Sequence, residues 1–163
     1  MPMTYEPIAT TTLTTAQSSV TFSSIPGTYT DLVIVCQVAF VTAANEIRLR
    51  FNSDSGSNYS YTRLKGNGSS ASSDRYSNDN HIHIGSPGND AVIGNSINQI
   101  NNYSNTTTYK TVVSRSNFTN RELIATAGTW RSTAAITTVY IDNSGGQNIT
   151  SGSTFTIYGI KAA

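Results

Sequence analysis

"NEIRLRFN", residues 45–52, decides the fold. Ile47, Leu49 and Phe51 alternate strictly with Glu46, Arg48 and Arg50. A period of two places the apolar set on one face of a strand, whereas a helix would scatter it around the axis. Upstream, "DLVIVCQVAF" (31–40) is apolar on both faces, as expected of a central strand in a packed sandwich. Before it, "SSVTFSSI" (18–25) puts Val20 and Phe22 on one side, and "PGTYTD" (26–31) turns the chain. Downstream, "NYSYTRL" (58–64) is a short strand, and "NHIHIGS" (80–86) places Ile82 and Ile84 inward. "NSINQIN" (95–101) is weaker, and "TYKTVVSRS" (108–116) and "ELIATAGTW" (122–130) follow. "AAITTVYID" (134–142) and "STFTIYGIK" (153–161) close the chain across the turn-rich "NSGGQNITSG" (143–152).

This spacing predicts roughly nine or ten strands in a single all-β domain, an antiparallel β-sandwich. The expected core contains Val20, Phe22, Leu32, Ile34, Ile47, Leu49, Phe51, Ile82, Ile84, Val113, Ile136, Phe155 and Ile157. Residues 1–17 read as an N-terminal arm or first strand, and residues 18–163 as the sandwich. Polar loops are expected at 52–58, 65–80 and 101–107, the middle one unusually long.

Composition agrees. The 163 residues include 24 Thr, 22 Ser and 16 Asn, which favour strands and turns, while good helix formers are scarce. Only 12% of residues are charged, and the net charge is +1 with no basic block. That pattern lacks the footprint of a nucleic-acid binder. The apolar run at 32–41 is broken by Gln37 and is too short to span a membrane. The start, "MPMTYEPIATTTL", has neither the basic nor the apolar segment of a signal peptide. The single cysteine, Cys36, reads as a small buried hydrophobe. Six Asn-x-Ser/Thr sequons, beginning at Asn58, are about what chance supplies in a chain so rich in Ser and Thr.

Catalytic and metal-binding groups are sparse. His81 and His83 share a strand face and could reach one ion, but Asp90 is the best nearby acid and no third histidine exists. They are expected instead to face solvent or an interface, opposite Ile82 and Ile84. "NSDSGSN" (52–58) has the oxygen-rich look of a calcium loop, yet Asp54 is its sole carboxylate, so an Asx-turn loop is expected. No Gly-x-Ser-x-Gly nucleophile elbow occurs. Glu46, Asp74, Asp79, Asp90 and Glu122 are available acids that nothing in the sequence pairs. No metal, cofactor or catalytic residue is expected. Tyr59, Tyr61, Tyr76 and Tyr103 lie beside polar loops, and Trp130 precedes Arg131. These five are the candidate contacts for an interface or a glycan, with Trp130 also readable as core.

"LRFNSDSGSNYSYTRL" (49–64), "SGSTFTIYGIK" (151–161) and "SSVTFSSIPGTYTDLVIV" (18–35) resemble motifs of virion structural proteins from tailed bacteriophages, including phages of cyanobacteria and other marine bacteria. The resemblance runs from about Tyr5 to Lys161. It implies a jelly-roll-like sandwich that serves as a virion building block, and it carries over no catalytic or ligand residue. The expected role is a non-enzymatic capsid decoration or cement protein on the particle surface. Expected partners are its own copies in a homotrimer and the major capsid protein or other virion proteins, with neither nucleic acid nor membrane. The alternative is a tail-fibre tip or adhesin that binds host glycan.

Overall fold

The computed structural model describes residues 4–40, 46–86, 93–118 and 122–161. Twelve strands and no helix form among them: β1 (Tyr5–Thr12), β2 (Val20–Phe22), β3 (Asp31–Val38), β4 (Ile47–Phe51), β5 (Tyr59–Gly66), β6 (Ala71–Asp79), β7 (Ile82–Gly85), β8 (Gly94–Asn101), β9 (Lys110–Phe118), β10 (Glu122–Trp130), β11 (Val139–Asn143) and β12 (Thr154–Ile160). They build an eight-stranded sheet, β1-β12-β3-β8-β9-β10-β5-β6, and a four-stranded sheet, β2-β11-β4-β7. Every pairing is antiparallel.

The winding is that of a jelly roll. Successive strands β2 to β7 switch sheets at β2/β3, β3/β4, β4/β5 and β6/β7, so early strands pair with late ones: β2 and β4 flank β11, and β3 and β5 flank the β8-β9-β10 meander. Three antiparallel strands in place of one keep the chain direction, so the meander widens the large sheet without disturbing the order around it.

Between the sheets lies one apolar core that includes Phe22, Leu32, Ile34, Leu49, Phe51, Ile82, Ile84, Ile141, Phe155 and Ile157. Strand β4 inserts Ile47, Leu49 and Phe51 into it, as the alternation predicts, and Cys36 is fully buried there. Phe118 closes one end: its ring lies where a Cβ on Gly94 would be, 1.7 Å away, and 2.7 Å from one on Gly85. Only a residue without a side chain fits at Gly94 while that ring stays in place.

Two expectations are corrected. Val113 is 52% exposed, and its neighbour Val112 is buried instead. The phase of β9 is set by Phe118 at one end and by Ser114, whose hydroxyl donates to the buried Asn98 amide at 2.7 Å. Residues 65–80 are not a long loop but the β5-β6 hairpin, whose turn is held by the Asn67 side chain accepting from the Ser69 and Ser70 amides. Strand β6 is an edge strand with mostly exposed side chains, so its Ser, Asn and Asp residues stay hydrated while its backbone pairs with β5.

Candidate functional site

The richest chemistry gathers where β5 and β6 meet β4 and β7. Tyr61 and Arg63 point inward from β5, and Asp74 and Tyr76 come from β6. His81 and His83 come from the start of β7, and Glu46 precedes β4. The Tyr61 and Tyr76 rings stack with centroids 5.0 Å apart, and the two imidazoles lie 5.9 and 6.3 Å from Tyr61. Arg63 sits 4.8 Å from the Tyr76 ring centroid and donates to its hydroxyl at 3.0 Å.

The charges saturate one another. Arg63 grips Asp74 through two hydrogen bonds, at 2.7 and 2.9 Å, and lies 3.5 Å from Glu46. Lys65 reaches Asp74 at 2.8 Å. His81 contacts Glu46 at 3.2 Å and Asp79 at 3.1 Å, and Tyr61 donates to Asp79 at 3.2 Å. The Arg63 hydrogen bonds, with Lys65 adding, hold the Asp74 carboxyl down at about 2. Glu46 is likewise held below its usual range, chiefly by the hydrogen bond from the His81 ring and against the cost of its own burial. Burial pushes the Tyr61 hydroxyl above its ordinary range, with Asp79 adding.

His83 is the exception. It is fully buried, its Nε2 bonds Ser86 at 3.0 Å, and its Nδ1 has no hydrogen-bond partner among the described residues. Desolvation, reinforced by the Arg63 charge, lowers its pKa to about 3, so the ring is neutral in the folded protein.

Both histidines are therefore buried, where they were expected to face solvent or an interface, because the β5-β6 hairpin folds over β7 and lays Tyr61 against them. Among the described residues no three His, Cys, Asp or Glu side chains are placed to hold a metal ion. Asp90 lies outside the described residues. Glu46, Asp74 and Asp79 do converge, but on Arg63, Lys65 and His81, and a carboxylate held this way makes a poor proton donor near neutral pH.

Of the five candidate contact aromatics, four are core residues. Tyr59, Trp130 and Phe51 pack together, with ring centroids 5.5–6.3 Å apart. Tyr59 accepts from the Phe51 amide and donates to the Asp54 carbonyl, both at 3.0 Å. Tyr103 is buried and donates to the Pro26 carbonyl. Tyr61 is buried in the cluster above, so Tyr76 alone is exposed. Tyrosines beside polar sequence carry their rings inward here because each hydroxyl finds a partner at the core boundary. In the 52–58 loop, Asp54 accepts from Gly56 N at 2.9 Å, from Asn58 Nδ2 at 3.0 Å and from Trp130 Nε1 at 2.7 Å. The loop is an Asx turn tied to the core, and its only carboxylate is engaged.

The outer face of the large sheet has a different character. Cross-strand pairing sets Val35, Ile97, Arg115, Ala125 and Leu64 side by side in one row across five strands. Val33, Gln99, Val113, Ala127 and Thr62 form the next row. No signal in the sequence singled this face out, because its apolar residues are spread over strands far apart in the chain.

No family model matches this chain, and no curated protein sequence matches it. Among solved structures it is similar to galectin LEC-6 from Caenorhabditis elegans, at 10% identity over 90% of this chain and 94% of that one, with a TM-score of 0.42. It is also similar to alginate lyase Aly36B, at 7% identity over 94% and 80% of the two chains, with a TM-score of 0.37. A third similarity is to the Eiger TNF of S. frugiperda, at 7% identity, 97% and 96% coverage and a TM-score of 0.27.

Proposed function

We propose that this chain is a non-enzymatic structural protein of a tailed-bacteriophage virion that decorates or cements the capsid. The observation that carries the reading is the self-saturation of the Arg63 cluster. Its carboxylates are engaged by Arg63, Lys65 or His81, so its ionisable groups act as a clamp between hairpin and core. A catalytic site instead leaves an acid, base or nucleophile poised toward a substrate. The motifs at 18–35, 49–64 and 151–161, which resemble those of phage virion proteins, supply the particle context. A building block needs a rigid core and surfaces that form neutral contacts with little desolvation, and the Thr-, Ser- and Asn-rich exterior suits that task.

In this reading the chain forms a closed homo-oligomer, for which the family resemblance implies a trimer, and it meets the major capsid protein through hydrogen bonds. The adhesin alternative loses ground because Tyr59, Tyr61, Tyr103 and Trp130 are buried, and Tyr76, the one exposed member of the five candidates, already stacks on Tyr61. Salt washes of purified particles test the proposal. The chain should stay with particles through moderate salt, since a neutral attachment is screened little. Release by modest salt, or absence from washed particles, would contradict it.

A further inference from the structure

We propose that the outer face of the eight-stranded sheet is the surface through which two copies of this chain pair, face to face. This deepens the building-block reading and rests on it.

Large apolar residues that stay exposed are concentrated there. Val35, Ile97, Val113, Leu64 and Leu123 are five of the nine such residues exposed among the described residues, with Leu64 and Leu123 61% and 62% exposed. A sixth, Tyr5, borders a hollow on the same face beside Val33 and Val113. A contiguous patch of this kind marks an interaction surface on a globular protein, whereas scattered single residues do not.

Its size fits a second copy. Eight strands about 4.8 Å apart, each about 25 Å long, give a face of roughly 850 Å². A stable protein pair needs about 800 Å² per partner. Its charge fits too. Arg115 stands near the middle of the face and has no ion pair among the described residues. The amide side chains of Asn95, Gln99 and Asn117 surround it. Arg75, opposite Thr62, is a second arginine on this face. The amides are neutral acceptors for these guanidiniums across an identical face, and two separated arginines fall short of the basic field that an anionic polymer or lipid surface would require. Two sheets with the same right-handed twist pack aligned, about 10 Å apart, with their side chains interdigitated. The contact is isologous, so its unit is a two-fold dimer rather than the threefold unit that the family resemblance implies.

Sedimentation of the full chain over a wide concentration range reads the result. The wild type should dimerise reversibly. Leu64→Lys and Leu123→Lys should each raise the dissociation constant at least about tenfold, because each adds a cation to a face whose Arg115 already lacks an ion pair among the described residues, so the new charge is buried unpaired. Thr21→Lys, exposed on β2 of the four-stranded sheet, should leave it unchanged. Circular dichroism and the unfolding midpoint of each variant separate loss of pairing from loss of fold. A spin label on Val113→Cys gives an independent readout that leaves the interface uncharged, and the buried Cys36 does not compete for it. Labels on two copies should lie within about 25 Å, given the spacing of packed sheets. A wild type that is monomeric throughout, pairing indifferent to both Lys variants, longer label distances, or a trimer joined through other surfaces would each overturn the proposal. A monomer that still attaches to particles would defeat the face assignment alone. A face-to-face dimer that never attaches would defeat the virion reading alone.

Discussion

The indole nitrogen of Trp130 donates to the Asp54 carboxylate at 2.7 Å, joining the end of β10 to the turn after β4. The same indole packs on Phe51 and Tyr59, so one side chain anchors both the aromatic core and the loop above it. Trp130→Phe keeps most of the packing and removes the donor, and should cost about 1–2 kcal/mol in urea unfolding. Phe51→Ala should cost about 3–5 kcal/mol, since the ring is fully buried. Calcium should leave the unfolding midpoint unchanged, because Asp54 is already engaged. A calcium-induced rise would show that the loop is a cation site.

Acid should weaken the fold in two separable stages. His83 has a folded pKa of about 3, below the 6.5 or so of an unfolded histidine. As pH falls below about 6.5 the unfolded chain takes up a proton that the folded one refuses, so stability drops until about pH 3. The loss should be on the order of 5 kcal/mol. Asp74, held at about 2, contributes stability that is complete above the ordinary carboxylate range and is lost as pH falls toward 2. Urea titrations at stepped pH should therefore show His83→Gln flattening the slope between about pH 6.5 and 4, with Asp74→Asn altering only the more acidic part.

Gly94→Ala should be among the most damaging single-methyl changes in the chain, because the Phe118 ring occupies the position of the new Cβ. A loss of about 2–3 kcal/mol is expected, and Phe118→Leu in the same chain should restore part of it. Val113→Thr, by contrast, should shift monomer stability by less than about 0.5 kcal/mol. A large effect there would mean that β9 has the opposite phase.

The Cys36 thiol should behave as a core atom. It is fully buried, and desolvation raises its pKa to about 12. A maleimide should label it only at the rate of unfolding. Rapid labelling under native conditions would show that β3 opens locally.

What the sequence disclosed and what it hid follow one physical rule. Strand β4 was legible because its two faces differ in kind: Ile47, Leu49 and Phe51 against Arg48 and Arg50. Strand β8 was not, because its pattern runs against burial: Asn98 is inside, hydrogen-bonded to the Ile34 carbonyl and to Ser96, while Ile97 is outside. The Arg63 cluster was hidden because its members come from four segments that meet only through sheet pairing, and the pairs that stand two apart, such as Tyr61–Arg63 and Asp74–Tyr76, do not point to one another in the sequence. The aromatic candidates misled because a ring beside polar residues reads as exposed, whereas pairing its hydroxyl allows burial. The hairpin of β5 and β6 was missed because hydrated edge strands need no apolar face.

Electron microscopy of intact particles, with and without this chain, tests the central claim most directly. The account predicts difference density at regular positions on the capsid shell into which the β-sandwich fits. Density confined to the tail tip, or no difference anywhere on the particle, would contradict it.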